Sequence, residues 1–102
     1  MAKHRVAGVD EIKPGELKRV EIGDIALCLA HVEGGGFCAV VDVCTHEEVE
    51  LSDGYLDGDE IECPMHGSRF NVCTGAVRGL PANKPVETYP VEVAGADLFV
   101  DL

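Results

Sequence analysis

The chain has 102 residues, which is room for one domain (1–102) and not for two. Its 19 acidic residues against 8 Lys and Arg give a formal charge of −11, which excludes nucleic-acid binding through a basic patch and speaks against anionic membrane surfaces. A hydrophobic content of 46% marks a folding chain rather than a disordered acidic tail, and five cysteines, an odd number, exclude a complete disulfide framework.

The start, Met1 to Val6, carries basic residues with no apolar stretch behind them, so neither a secretory nor a twin-Arg signal is expected. Turn signals then recur every few residues, with strand-like runs between them. Val20–Ile22 and Ile25–Val32 flank Gly23-Asp24, and the second run meets Phe37–Val43 across Gly34-Gly35-Gly36. Glycine supplies the positive φ that tight hairpin turns need. Tyr55-Leu56 and Asp59–Glu62 flank Asp57-Gly58, Arg69–Val72 and Ala76-Val77 flank Thr74-Gly75, and Val91–Val93 and Leu98–Val100 flank Ala94–Asp97. Pro81, Pro85 and Pro90 punctuate the rest, and Arg78–Asn83 reads as a loop because proline cannot donate to a sheet ladder. No stretch holds a 3.6-residue apolar period over three turns. The pattern predicts an all-β, antiparallel sandwich or barrel.

The longest unbroken apolar run, Ile25–Ala30, is six residues, where a membrane span needs about 20. A soluble cytoplasmic protein is therefore expected, with no membrane and no nucleic-acid partner. That compartment keeps thiols reduced, so its cysteines serve as metal ligands, catalytic groups or packing residues. Aromatic residues are few and no apolar surface helix calls for an obligate dimer, so a monomer is expected.

The chemistry lies in Cys44-Thr45-His46 and Cys63-Pro64-Met65-His66-Gly67, which is C-x-H, sixteen residues, then C-x-x-H. The Asp57-Gly58 hairpin between the two boxes returns the chain to where it began. Two thiolates and two imidazoles should therefore surround one point. A tetrahedral zinc ion fits such a set, and so does a [2Fe-2S] cluster in which two His replace two Cys on one iron. The spacing favours the cluster. Two loops that each give one Cys and then one His let both sulfurs reach one iron and both imidazoles the other, whereas zinc fingers pair Cys with Cys and His with His along the chain.

On these boxes the chain resembles the Rieske-type ferredoxins, in particular the small electron carriers of bacterial aromatic-ring-hydroxylating dioxygenase systems. The likeness takes in Leu51–Tyr55, His66–Phe70, Thr74-Gly75, Leu80-Pro81 and the stretch from Pro85-Val86 to Pro90-Val91. It implies a Rieske-type antiparallel β-sandwich with an inserted cluster-binding subdomain. The basal part would be about 1–42 and 84–102, and the cluster-binding part about 43–83. Cys44 and Cys63 would ligate the inner iron, and His46 and His66 the outer one. The chain would take electrons from a flavin-dependent reductase and pass them to a terminal oxygenase, as a system component and no enzyme by itself. Ferredoxins associated with iron–sulfur assembly share some of these residues and remain an alternative, and a structural zinc protein is a further one.

Departures from the high-potential respiratory branch are readable. That branch carries an extra disulfide-forming Cys in each box, where this chain has Val49 and Met65. Its sulfur-directed Tyr is matched by Phe70, while Ser68 is retained. Fewer hydrogen bonds to cluster sulfurs imply a lower potential. Cys28 and Cys38 are expected to pack as small hydrophobes, Cys73 to be a bystander thiol, and His4 and His31 to be solvated or satisfied at the surface. Residues 47–62 hold eight acids, which read either as a solvated arm or as a docking surface for a basic partner.

Overall fold

The apolar run at the middle of the N-terminal half decides the architecture. In the computed structural model, which describes residues 3–34, 36–45, 49–65, 67–80 and 82–102, it forms β3 (Ile25–Val32). A strand alternates its side chains between two faces. Leu27 and Leu29 enter one core with Ala7, Ile12, Ala39, Leu98 and Val100, while Cys28, Ala30 and Val32 enter another with Val40, Leu51, Ile61, Phe70 and Val72. Each fully buried aliphatic side chain contributes roughly 1.5–3 kcal/mol.

Three antiparallel sheets follow from this. One joins β1 (Lys3–Gly8), β11 (Asp97–Asp101) and β10 (Val91–Ala94) in that order. The central sheet runs β2 (Leu17–Ile22), β3, β4 (Gly36–Val41), β9 (Thr88–Tyr89). The third runs β5 (Tyr55–Asp57), β6 (Glu60–Glu62), β7 (Arg69–Asn71), β8 (Val77–Gly79). The first two sheets enclose one core, and the third sheet packs on the opposite face of the central one. Two short 3-10 turns, Val9–Glu11 and Leu51–Asp53, complete the secondary structure of the described residues.

The hairpins lie where the turn chemistry puts them. Ile22 pairs with Ile25 across Gly23-Asp24, Asp57 with Glu60 across Gly58-Asp59, and Ala94 with Asp97 across Gly95-Ala96. Three details differ from the sequence expectation. The Arg78–Asn83 segment begins as strand, because Gly79 pairs with Arg69 and Phe70 with Val77 across a shifted register. β4 stops at Val41 rather than Val43: the Asp42 N–H turns to the Ala26 carbonyl, 2.9 Å away, and that of Val43 back to Val41, 2.8 Å away. His4 lies within β1, half-buried and opposite Val100, instead of in a solvated terminus.

Gly75 ties the third sheet to the chain that returns to the first two. It has φ +79°, its N–H donates to the Asn71 carbonyl (2.7 Å), and its own carbonyl accepts from Val86 N–H (3.0 Å). A Cβ there would overlap the Val86 carbonyl oxygen. Gly95 has φ +63° with open space around it. Gly75→Ala should therefore cost about 3 kcal/mol in urea unfolding, combining left-handed strain with a backbone clash. Gly95→Ala should cost about 1 kcal/mol, from strain alone.

Candidate metal centre

Both ligand boxes sit on turns closed in the same way. The Cys44 N–H donates to the Val49 carbonyl at 3.0 Å, and the Cys63 N–H donates to the Ser68 carbonyl at 2.8 Å. In each case the acceptor lies five residues ahead. The second turn is drawn tighter by the Gly67 N–H on the Cys63 carbonyl (3.2 Å), with Gly67 at φ +77°. By sequence each closed turn contains its histidine. His46 and His66 themselves lie outside the described residues, as do Glu47, Glu48 and Pro81.

Cys44 and Cys63 are each 2% exposed and belong to the same core cluster as Leu51, Ile61, Phe70 and Ala82. The Asp57-Gly58 hairpin thus brings the two cysteines into one core. A third loop joins the boxes. Thr45 Oγ1 donates to the Lys84 carbonyl (2.7 Å), and Ala82 N–H donates to Ser68 Oγ (3.0 Å). Ser68 is fully buried and uses its oxygen as an acceptor there, which leaves its O–H as a donor inside the site. Among the described residues no three metal-donor side chains gather, since these contribute the two cysteines only. Two soft sulfur donors in an apolar cluster beside a buried hydroxyl suit a sulfur-bound iron group. Cys44 and Cys63 would hold it from the buried side.

The sequence reading missed Asp42. Its side chain is wholly buried and accepts three hydrogen bonds: from Arg19 (2.7 Å), Ser52 N–H (2.7 Å) and Ser52 Oγ (2.6 Å). Arg19 belongs to β2, Ser52 to the turn before β5, and Asp42 stands two residues before Cys44. The carboxylate thus clamps the first box between the central sheet and the third. It raises the Arg19 pKa further, chiefly through this hydrogen bond. The one signal available in the sequence was an acid set among Val40, Val41 and Val43.

The acids between the boxes are partly consumed by structure. Arg69 binds Glu62 (2.7 Å), Glu60 (3.2 Å) and Asp57 (3.3 Å), and Glu50 sits 3.4 Å from Arg19. Asp59 accepts from Asn71 Nδ2 at 3.0 Å. His31 is half-buried, with Nδ1 2.7 Å from the Ile12 carbonyl and its ring stacked on Phe37. Cys28 is fully buried, and burial, then the Asp42 charge, pushes its thiol pKa up. Cys38 and Cys73 correct the expectation: they are neither a packed thiol nor a bystander but a disulfide, with Cα atoms 5.0 Å apart. The antiparallel pairing of β7 with β6 and β8 carries the turn holding Cys73 over β4, a juxtaposition that no sequence spacing encodes.

The sequence and the fold are similar to those of known proteins. The Rieske [2Fe-2S] domain family matches residues 2–90. The ferredoxin component of biphenyl 2,3-dioxygenase from Rhodococcus jostii (strain RHA1) is 39% identical over 102 residues, covering 100% of this chain and 94% of that protein. The solved ferredoxin of Sphingomonas yanoikuyae B1 superposes with a TM-score of 0.92 at 36% identity, covering 99% of each chain. A chain from a complex of reduced oxygenase and oxidised ferredoxin in carbazole 1,9a-dioxygenase superposes with a TM-score of 0.90 at 40% identity, covering 96% of this chain and 91% of that one.

The Asp42 clamp is testable by stability. Asp42→Ala leaves the Arg19 charge and the Ser52 N–H without their partner, and should lower the unfolding free energy by about 3 kcal/mol. That is the low end for a buried pair, because the Arg19 side chain is 33% exposed. Asp42→Asn keeps one acceptor for Ser52 and should cost roughly half as much. Urea titration of both variants checks the order.

Proposed function

Since the chain belongs to the Rieske [2Fe-2S] family, we propose that it is a one-electron carrier for a ring-hydroxylating oxygenase system. Its single cluster is held by Cys44, His46, Cys63 and His66. The observation that carries this reading is the pair of matching turns, each closed by a Cys N–H on the carbonyl five residues ahead, in a chain similar throughout to dioxygenase ferredoxin components. When bound, the cluster supplies a one-electron couple, its potential raised by two neutral imidazoles relative to an all-Cys set.

The residues around it do the rest. Cys44 and Cys63 would anchor it from the core, and the family resemblance assigns its other iron to His46 and His66. Val43, Met65 and Leu80, all beside the boxes or the third loop, are 44%, 57% and 81% exposed. They would offer a docking partner apolar surface from which water can be excluded. A flavin-dependent reductase and a terminal oxygenase would use this tip in turn, each in a transient contact. The sheets of about 1–42 and 84–102 act as scaffold, and about 43–83 carry the cluster. The chain works in the cytoplasm as a monomeric component, with no catalytic residue of its own.

Two measurements test this. Purified protein should be brown, contain two irons per chain and give a rhombic EPR signal on reduction, and His46→Ala and Cys63→Ala should lose both colour and signal. A colourless protein with one zinc and no iron overturns the reading. Phe70 is fully buried in the same core as Cys44 and Cys63. Phe70→Tyr should raise the reduction potential measured by redox titration, because a donor toward the cluster sulfurs stabilises the reduced state.

A further inference from the structure

Five cysteines are more than the metal centre uses. Cys44 and Cys63 belong to the ligand boxes, and Cys28 is sealed in the core with its thiol held protonated. The remaining two meet. Cys38 stands on β4 of the central sheet, and Cys73 in the turn between β7 and β8 of the third. Their disulfide therefore crosses from one layer to the other. It also closes a loop of sequence separation 35 that contains Cys44, His46, Cys63 and His66 together.

The bond is reachable. Cys73 is exposed and Cys38 half-buried, and both line a surface hollow with Phe37, Thr88, Tyr89 and Pro90. An incoming thiolate has a path to the sulfurs. Disulfides in a reducing compartment are seldom permanent, and those exposed to solvent are the labile ones. The turn that carries Cys73 is itself well ordered, since Asn71 Oδ1 accepts from the N–H groups of Cys73 and Thr74, both at 2.9 Å. Opening the bond therefore leaves the two thiols poised to close again.

We propose that Cys38 and Cys73 form a reversible thiol–disulfide clasp that governs how firmly the protein retains its cluster; the proposal rests on the ligand assignment above. Closure is thiol–disulfide exchange with a low-molecular-weight disulfide such as glutathione disulfide. Two protein thiols become one protein disulfide, and the small disulfide is reduced to two thiols that take up the two protons. Excess small thiol reverses it. In the closed form the loop that holds both ligand boxes has less conformational freedom when the third sheet loosens, which disfavours their separation. In the open form the backbone connections and noncovalent contacts alone hold that sheet to the central one.

The test compares holoprotein with Cys38→Ser/Cys73→Ser, both loaded with cluster. Alkylation of unreduced protein and peptide mass mapping should find residues 38 and 73 linked, and glutathione should make both alkylatable. Cluster loss to an iron chelator, followed as bleaching of the visible absorbance, should be about tenfold faster in the double variant, well below the several-hundredfold limit that loop closure over this span sets for complete opening. Wild type opened by glutathione should bleach at the variant's rate. Cys73→Ser alone, at an exposed site, should match the double variant and excludes a packing defect at Cys38. Equal bleaching rates, or free thiols at both positions in air-purified protein, overturn the clasp. A wild-type protein that never takes up a cluster instead overturns the ligand assignment.

Discussion

A strand that is apolar on both faces must be covered on both faces, and β3 is such a strand. Leu27 and Leu29 draw the sheet of β1, β10 and β11 onto one side. On the other, Cys28 and Ala30 present small side chains, which allow the sheet of β5 to β8 to approach closely. Everything near the metal centre hangs on that second interface. Leu51, Ile61, Phe70 and Val72 reach across it, and Cys44 and Cys63 lie within it. The hairpin between the boxes is thus held by a core built mainly from residues outside it.

The polar groups buried at this seam have a common task. Among the described residues the buried polar or charged side chains are Asp42, Ser68 and Asn71. Each accepts backbone N–H groups from a loop: Asp42 from Ser52, Ser68 from Ala82, and Asn71 from Cys73 and Thr74. Burying a polar atom costs stability unless it is paired, so each of these side chains is set in one geometry. The loops around the site inherit that geometry. Irregular backbone beside a metal centre is held here by side chains where a sheet would use its own ladder.

Charge is sorted by the same fold. Asp57, Glu60 and Glu62 converge on Arg69, Glu60 also faces Arg78 at 3.8 Å, and Glu50 faces Arg19. Several acids that look like a free anionic run in the sequence are therefore spent on bracing the third sheet and the first box. Exposed apolar residues, Val43, Met65 and Leu80, stand in sequence beside the boxes and the third loop. Short-range apolar contact with a remaining long-range negative field would suit the transient docking proposed for this chain.

Much of this was legible in one dimension. The hairpin turns, the all-β class and the two boxes depend on local chemistry: glycine at positive φ, period-two alternation, and donors at fixed spacing along a turn. What escaped depended on partners far along the chain. Gly79 reads as loop until Arg69 lies beside it, Asp42 reads as one more residue of the Phe37–Val43 run until Arg19 and Ser52 enclose it, and His4 reads as a solvated end until β11 pairs with it. The sequence by itself determined the all-β class and pointed to the Rieske [2Fe-2S] family, because turn chemistry and the spacing of Cys and His along a turn are local properties. The Cys38–Cys73 link and the buried clamp at Asp42 were decided only by the tertiary structure. A disulfide or a buried charge pair needs atoms brought within a few ångströms, and only the stacking of three sheets does that.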